Sequence, residues 1–430
     1  MRPALPPCLY RHHQRQKRRE SMIMKTSSFT LGRRASFWVS AAVVAHTLWT
    51  SAAPAMTYPL YAAEWGLTPT VTTAIFAIYP IVVVMVLLGF GDLSDYIGRR
   101  TTMLLGLSGS LLGVLLFAIA PSILWVFIGR AFMGLGVGLS ASPSAAAVVE
   151  FSAAGQSQRA GAVTTAAQAL GLMCAALVGG GLIEYAPFPT RLNFWFLLFV
   201  LTAIFAATWF LPRHTSAEAR GRWRPKAIVV PKGIRDIFSS ATIAVTASYA
   251  LGAVVLSLGA QIAHDLIGSS NSLINGATIA LFAVVAGAAT IPARRLASTT
   301  AILVGGTASA VAVALLALSA AEHALPIFIA AAATAGMGYS LLFSGGLNLL
   351  SANAPAHHRG GTLSALFLVA YLTQGIVALA LGTIATARGL AFAIDIGAMA
   401  IAALSIAAVL LAFRIGKSLP SLQSSVGKSS

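Results

Sequence analysis

Ten residues, Gly91-Asp92-Leu93-Ser94-Asp95-Tyr96-Ile97-Gly98-Arg99-Arg100, gather two carboxylates, two arginines and two glycines in a chain that is 57% hydrophobic and 9% charged. Their chemistry is ion pairing rather than bond making. Asp95 offers an acceptor near helix ends, where a carboxylate is stabilised, and Arg99 and Arg100 pair with carboxylates in fork geometry. Glu150 is an available partner, and Arg159 adds a further cation. Gly91 and Gly98 let a tight turn approach its neighbours closely. Two more ionisable residues lie inside apolar runs, Arg130 and His46, where charge is expensive and defaults to a functional reading. His46 titrates near neutral pH or packs as a hydrogen-bonded core residue; Arg130 serves coupling, or bonds backbone carbonyls of a neighbouring helix. Asp395 reads as an interfacial residue.

An enzyme would need a clustered catalytic set. His357-His358 is the one His pair outside the N-terminal tail, and it stands beside Arg359 with no carboxylate near. No glycine-rich phosphate loop ending in Lys-Ser/Thr is present, which argues against an ATP-driven pump. Cys8 and Cys174 suggest neither a disulfide nor a metal site. No cofactor or metal is expected.

The elements that position these residues are membrane spans. Soluble domains carry about a quarter charged residues; a mean hydropathy of +0.84 points to an integral membrane protein. A span needs about 20 apolar residues. On that rule twelve are expected, at 37–58, 70–90, 101–120, 122–145, 161–184, 193–212, 239–261, 272–292, 299–319, 325–349, 361–384 and 389–413. The expected organisation is a tail (1–36), a six-helix half (37–212), a basic linker (213–238) holding Arg220, Arg222, Arg224, Lys226 and Lys232, a second half (239–413) and a tail (414–430). The tail reads as a basic arm touching anionic lipid, or as the product of an upstream start, with Met22 or Met24 the true one. Arg33-Arg34 and Ala53-Pro54-Ala55 imitate an export signal, but the apolar run is too long for a cleaved one and many spans follow. The net charge of +17 would suggest nucleic acid in a soluble protein. Here, of 28 basic residues, all but Arg130, Arg191 and Arg388 fall on one side of the expected spans. Lys/Arg bias sets orientation, so both termini are expected in the cytoplasm and no nucleic-acid partner is expected.

The halves repeat. Gly134-Leu-Gly136 has a counterpart in Gly336-Met-Gly338, Arg159 in Arg359, and Arg99-Arg100 in Arg294-Arg295, each at nearly the same distance downstream. Two like-oriented halves of six spans are a known transporter plan. With that layout, Gly91-x-Leu93-x-Asp95-x-x-Gly98-Arg99-Arg100 resembles the cytoplasmic signature of the major facilitator superfamily, and the resemblance covers residues 37 to 413. It implies an all-α membrane protein with twelve helices in two pseudo-symmetric halves. It also implies a latch between the halves that breaks as the protein opens inward, formed by Asp95, Arg99, Glu150 and Arg159 with Gly91, Gly98 and Arg100. The second copy, 288–295, keeps the basic pair and no acid, so the latch is expected to be asymmetric. Arg130 stands where proton-coupled members place an arginine. The fifth span is similar to an antiporter signature, but Leu172 follows Gly171 where that signature has proline.

The implied function is secondary transport of a small organic solute by alternating access, proton-linked, by a monomer in a bacterial inner membrane. Multidrug efflux is an alternative; an intramembrane enzyme and a transport-dead sensor are remoter ones. Cavity residues are expected among polar and aromatic positions of spans one, two, four, five, seven, ten and eleven: Tyr79, Gln168, Asn348, Tyr371 and Gln374, with Arg130 and His46 as the available charges. An interior with those charges and no acid in the first span favours a neutral or anionic solute.

Overall fold

The computed structural model describes residues 30–153, 156–213, 232–355 and 359–426. The basic arm before residue 30, the linker residues Arg220, Arg222, Arg224 and Lys226, and His357-His358 lie outside the described residues. The long helices are α1 (Arg33–Ala52), α2 (Pro69–Phe90), α3 (Arg99–Ala118), α4 (Ile123–Phe151), α5 (Ser157–Tyr185), α6 (Leu192–Trp209), α7 (Arg235–Ser257), α8 (Ser272–Ala293), α9 (Ser298–Glu322), α10 (Leu325–Asn353), α11 (Arg359–Arg388) and α12 (Leu390–Val426). Among the described residues there is no strand. In a bilayer core, backbone groups must be satisfied within the chain, and helices do this locally.

Eleven of these helices are long and apolar enough to cross a membrane. The remaining crossing is α1, which is interrupted rather than short. It gives way to a 3-10 turn, Ala53–Met56, and resumes as the helix Tyr58–Trp65. Pro54 accounts for the break: it has no N–H, and its ring clashes with the carbonyl four residues back. Several helices overrun the expected spans. α4 reaches Phe151 and α12 continues to Val426.

Packing follows the repeat. In the first half α1 packs on α4 and α5, α3 on α4 and α6, and α2 on α4. The second half repeats each pairing six helices later: α7 on α10 and α11, α9 on α10 and α12, and α8 on α10. The two sets of six meet mainly along α2 with α11 and α5 with α8, which are themselves equivalent under the same shift. The repeated glycines sit at equivalent crossings. A Cβ on Gly136 would meet the backbone N of Ser110 and the carbonyl of Gly106 across the α3–α4 contact; one on Gly338 would meet Ser309 across α9–α10. Small residues let helix backbones close up where lipid gives no hydrophobic drive to associate.

Overpacking of such a site costs about 1–3 kcal/mol. Gly136→Val and Gly338→Val are each expected to lower the thermal unfolding midpoint of purified protein by several degrees. Gly161→Val, at a site with open space around it, should not. Equal midpoints for all three would show that the crossings tolerate a side chain.

Candidate functional site

A cavity of about 370 Å³ lies between the two sets of six helices. Its first-half wall comes from Leu48, Ser51 and Ala52 of α1, Tyr79 of α2, and Thr165, Gln168, Ala169 and Leu172 of α5. The second-half wall comes from α7, α8, α10 and α11 and carries Tyr249, Phe282, Tyr339, Ser340, Phe343, Ser344, Asn348, Tyr371 and Gln374. All five expected cavity side chains, Tyr79, Gln168, Asn348, Tyr371 and Gln374, therefore line one space. Two expectations differ. α4 contributes nothing to the lining, whereas α8 supplies six residues from Phe282 to Ala293, with Arg294 following at its C-cap. His46 does not line it either: its Nε2 lies 3.3 Å from Ser110 Oγ on α3, and its Nδ1 meets the Val43 carbonyl. His46 projects from the face of α1 turned toward α3, away from the cavity.

Sequence reading missed the aromatic character of the second-half wall. Tyr249 meets Tyr371 edge-on at 4.8 Å between ring centroids, and Phe282 meets Tyr339 at 5.5 Å. Tyr339 and Phe343 stack with an interplanar angle of 11°. A signal was present: Tyr339/Phe343, Phe367/Tyr371 and Ser340/Ser344/Asn348 are spaced four apart, which places each set on one helix face.

The cavity is closed at one end. There the Thr70 N–H of α2 donates to Thr386 Oγ1 of α11 at 3.0 Å, and the two hydroxyls are 2.8 Å apart. A Cβ on Gly382 would collide with the Thr73 hydroxyl, so the helices touch without a side chain between them. On the other seam, Glu184 of α5 accepts the Ser272 N–H at 2.8 Å and the Asn271 amide at 3.3 Å. Asn271 in turn caps α8 through the Ile274 N–H at 2.9 Å. A carboxylate on the first turn of a helix satisfies free N–H groups and is favoured by the helix dipole. At the other end, the lining extends to Thr165, Asn348, Ala293 and Arg294, on the side of the Gly91–Arg100 motif.

The motif is a short helix, Leu93–Ile97, bounded by turns. Gly98 has φ +86, a backbone that side chains rarely adopt, so the turn into α3 requires glycine. Gly91 keeps helical backbone, and its N–H bonds the Leu87 carbonyl at 3.0 Å. Arg99 pairs with Glu150 at the end of α4 and donates to the Ala146 carbonyl at 3.1 Å. Arg100 donates to the Leu211 carbonyl at 3.1 Å and lies 5.6 Å from the Trp209 ring centroid, tying α3 to the end of α6. Arg159 bonds Gln156 at 3.3 Å and does not join the Arg99–Glu150 pair. Asp95 is exposed, and among the described residues its carboxylate has no hydrogen-bond partner. All of these contacts lie within the first six helices; none of them crosses to the second six.

Arg130 is fully buried and serves the break in α1. A 3-10 turn would bond the Ser51 carbonyl to the N–H of residue 54, which is proline and has none. Arg130 Nη1 donates to that carbonyl at 2.8 Å, and Asn193 of α6 donates to the Ala53 carbonyl at 3.2 Å. The guanidinium carbon lies 4.6 Å from the Tyr79 ring centroid and 5.7 Å from that of Phe76. Arg130 is thus one side chain behind the cavity wall formed by Ser51 and Tyr79. Among the described residues no group of three or more His, Cys, Asp or Glu is placed to hold a metal ion.

The model of the Major Facilitator Superfamily matches residues 38–378. Among solved structures, a bacterial homolog of the human lysosomal transporter Spinster, in an inward-facing and unoccupied conformation, superposes with a TM-score of 0.67 at 13% identity. It covers 92% of this chain and 98% of its own. A POT family transporter solved with 5-aminolevulinic acid gives 0.68 at 12% identity over 91% of this chain and 96% of its own. A POT family structure with a thioalcohol-conjugated peptide gives the same values. At such identities these likenesses speak for the fold alone. No curated protein matches the sequence. The family match spans most of the chain, and the twelve-helix packing with its central cavity agrees with it: the chain belongs to the Major Facilitator Superfamily and is a secondary transporter.

Proposed function

We propose that this transporter moves a small organic solute, neutral or anionic, by alternating access linked to protons. It works as a monomer, with the Gly91–Arg100 side and both termini in the cytoplasm of a bacterial inner membrane. One observation carries the reading. A cavity between the halves is sealed at one end by Thr70–Thr386 and Glu184–α8, and reaches Arg294 at the other. That shape is an inward-open state if the motif side is cytoplasmic. The charge bias of the loops supports this side. The lining carries no carboxylate, which supports a neutral or anionic cargo over a cationic drug. Proton linkage rests on Arg130 standing where proton-coupled members of the family carry an arginine.

The proposed cycle assigns the two ends opposite roles. The sealed end must open when cargo exchanges with the far side, so the Thr70–Thr386 and Glu184–α8 bonds break together. At the motif end, Arg99–Glu150 holds α3 and α4 as one body. Asp95, exposed here, is the group left to meet the second half when that end closes.

The reading is tested with purified protein in liposomes, using a solute first found by thermal stabilisation. Accumulation is expected to rise with an imposed pH gradient and to vanish when it is collapsed; accumulation indifferent to the gradient would remove proton linkage. Thr70→Cys with Thr386→Cys, in a background lacking Cys8 and Cys174, brings two thiols within disulfide reach. Oxidation is expected to stop transport and reduction to restore it; full transport by the cross-linked protein would refute alternation at this seam.

Two substitutions probe the motif end. Asp95→Asn is expected to reduce turnover at least tenfold while inserted protein stays at wild-type level, and wild-type flux would remove Asp95 from the gate. Arg99→Glu combined with Glu150→Arg is expected to recover more flux than either single change. Additive losses would show that the pair carries no joint role.

A further inference from the structure

Among the described residues, Arg130 is a fully buried cation with no buried acid to answer it. Among the described residues, the acidic side chains fall in loops or near helix ends. A guanidinium is a fixed charge, and a charge withdrawn from water is costly unless compensated. Its compensation is incomplete: one nitrogen bonds the Ser51 carbonyl, while Nε and Nη2 have no hydrogen-bond partner among the described residues. The groups it touches, the Ser51 backbone and the Tyr79 ring, belong to residues that line the cavity. The charge therefore stands directly behind that wall, where little solvent screens it. Facing it, the second half offers ring faces and edges from Tyr249, Tyr339, Phe343 and Tyr371. The buried Gln374 side chain on the same wall has an oxygen without a partner among the described residues.

We propose, building on the transport reading above, that the cargo is a small organic anion with a flat apolar body. Its anionic group settles against Ser51 and Tyr79 in the field of Arg130, and its body lies against the aromatic wall of the second half. The cargo thereby bridges the two halves with a different chemistry on each. Aromatic rings by themselves attract cations; Arg130 behind the opposite wall opposes that here, so the sign of the cargo is decided by that arginine.

The test is thermal unfolding of the purified full chain in detergent at constant ionic strength, with benzoate, 2-naphthoate, benzamide, benzylamine and acetate as probes. Benzoate or 2-naphthoate is expected to raise the midpoint by several degrees in a saturable manner, with the other three without effect. Arg130→Lys is expected to retain the response, and Arg130→Gln to weaken apparent affinity at least tenfold. Because Arg130 also supports α1, Gln168→Glu provides a second arm: it adds a carboxylate on the exposed cavity wall of α5 without burying it. This variant is expected to abolish the response to the carboxylates and to gain one to benzylamine. Stabilisation by benzamide, benzylamine or acetate equal to that by the aromatic carboxylates, or by none of the five, overturns the assignment. The two readings fail separately. A cationic probe that binds and is carried into liposomes refutes the anion class and leaves transport standing. An aromatic carboxylate that binds at this site without any flux refutes the transport reading and leaves the site.

Discussion

Pro54 leaves the first helix short of a donor in the middle of an oily protein, and Arg130 is placed to make that deficit good. An unsatisfied carbonyl in a bilayer costs several kcal/mol. Arg130 from α4 reaches the Ser51 carbonyl and Asn193 from α6 reaches that of Ala53. The two donors tie three helices at one depth. They also bring a permanent positive charge to the back of the cavity wall, with Tyr79 stacked over it. One proline thus links a local backbone problem to the electrostatics of the transport site.

The two halves share a packing plan but divide the chemistry. The first half carries the ionic contacts: Arg99 with Glu150, Arg100 on the end of α6, Arg130 on α1. These bonds join helices of the same half, so they stiffen it as a body and survive any rocking between halves. The second half presents rings to the cavity and keeps no acid in its copy of the motif, 288–295. The bonds of Thr70 with Thr386 and of Glu184 with Asn271 and Ser272 join the halves at one end, where small residues and single hydrogen bonds make the contact. A machine of this kind needs stiff bodies and weak seams, because the free energy available from cargo or ion binding is only a few kcal/mol for each step.

Much of this was legible from composition and spacing, for identifiable reasons. Tyr79, Gln168, Asn348, Tyr371 and Gln374 stand out because a polar group in an apolar run has to be placed somewhere, and the cavity is the cheapest place. The paired glycines were readable because close backbone approach leaves no alternative residue. His46 illustrates the limit. A helix that is apolar on every side has almost no moment to set its rotational phase, so a polar residue is recognisable while the neighbour it faces is not. The seam bonds were invisible for another reason. Thr70, Thr386 and Glu184 are ordinary residues at helix ends, and only the packing of α2 on α11 and α5 on α8 gives them partners.

Glu184 shows how such a bond can be both specific and weak enough to break. It spans the seam by using the free Ser272 N–H at the start of α8 and the Asn271 amide instead of a basic side chain. A carboxylate paired with a buried arginine would leave a naked charge behind whenever the halves separated, and breaking such a pair costs about 3–5 kcal/mol. Backbone N–H groups on the first helical turn are orphans in any case and take water once the end opens. The dipole contribution at a surface site is only about 0.3–1 kcal/mol. The seam is thereby held in register without a partner whose abandonment would stall the cycle, which is the reverse of the arrangement around Arg130, where the charge is meant to stay.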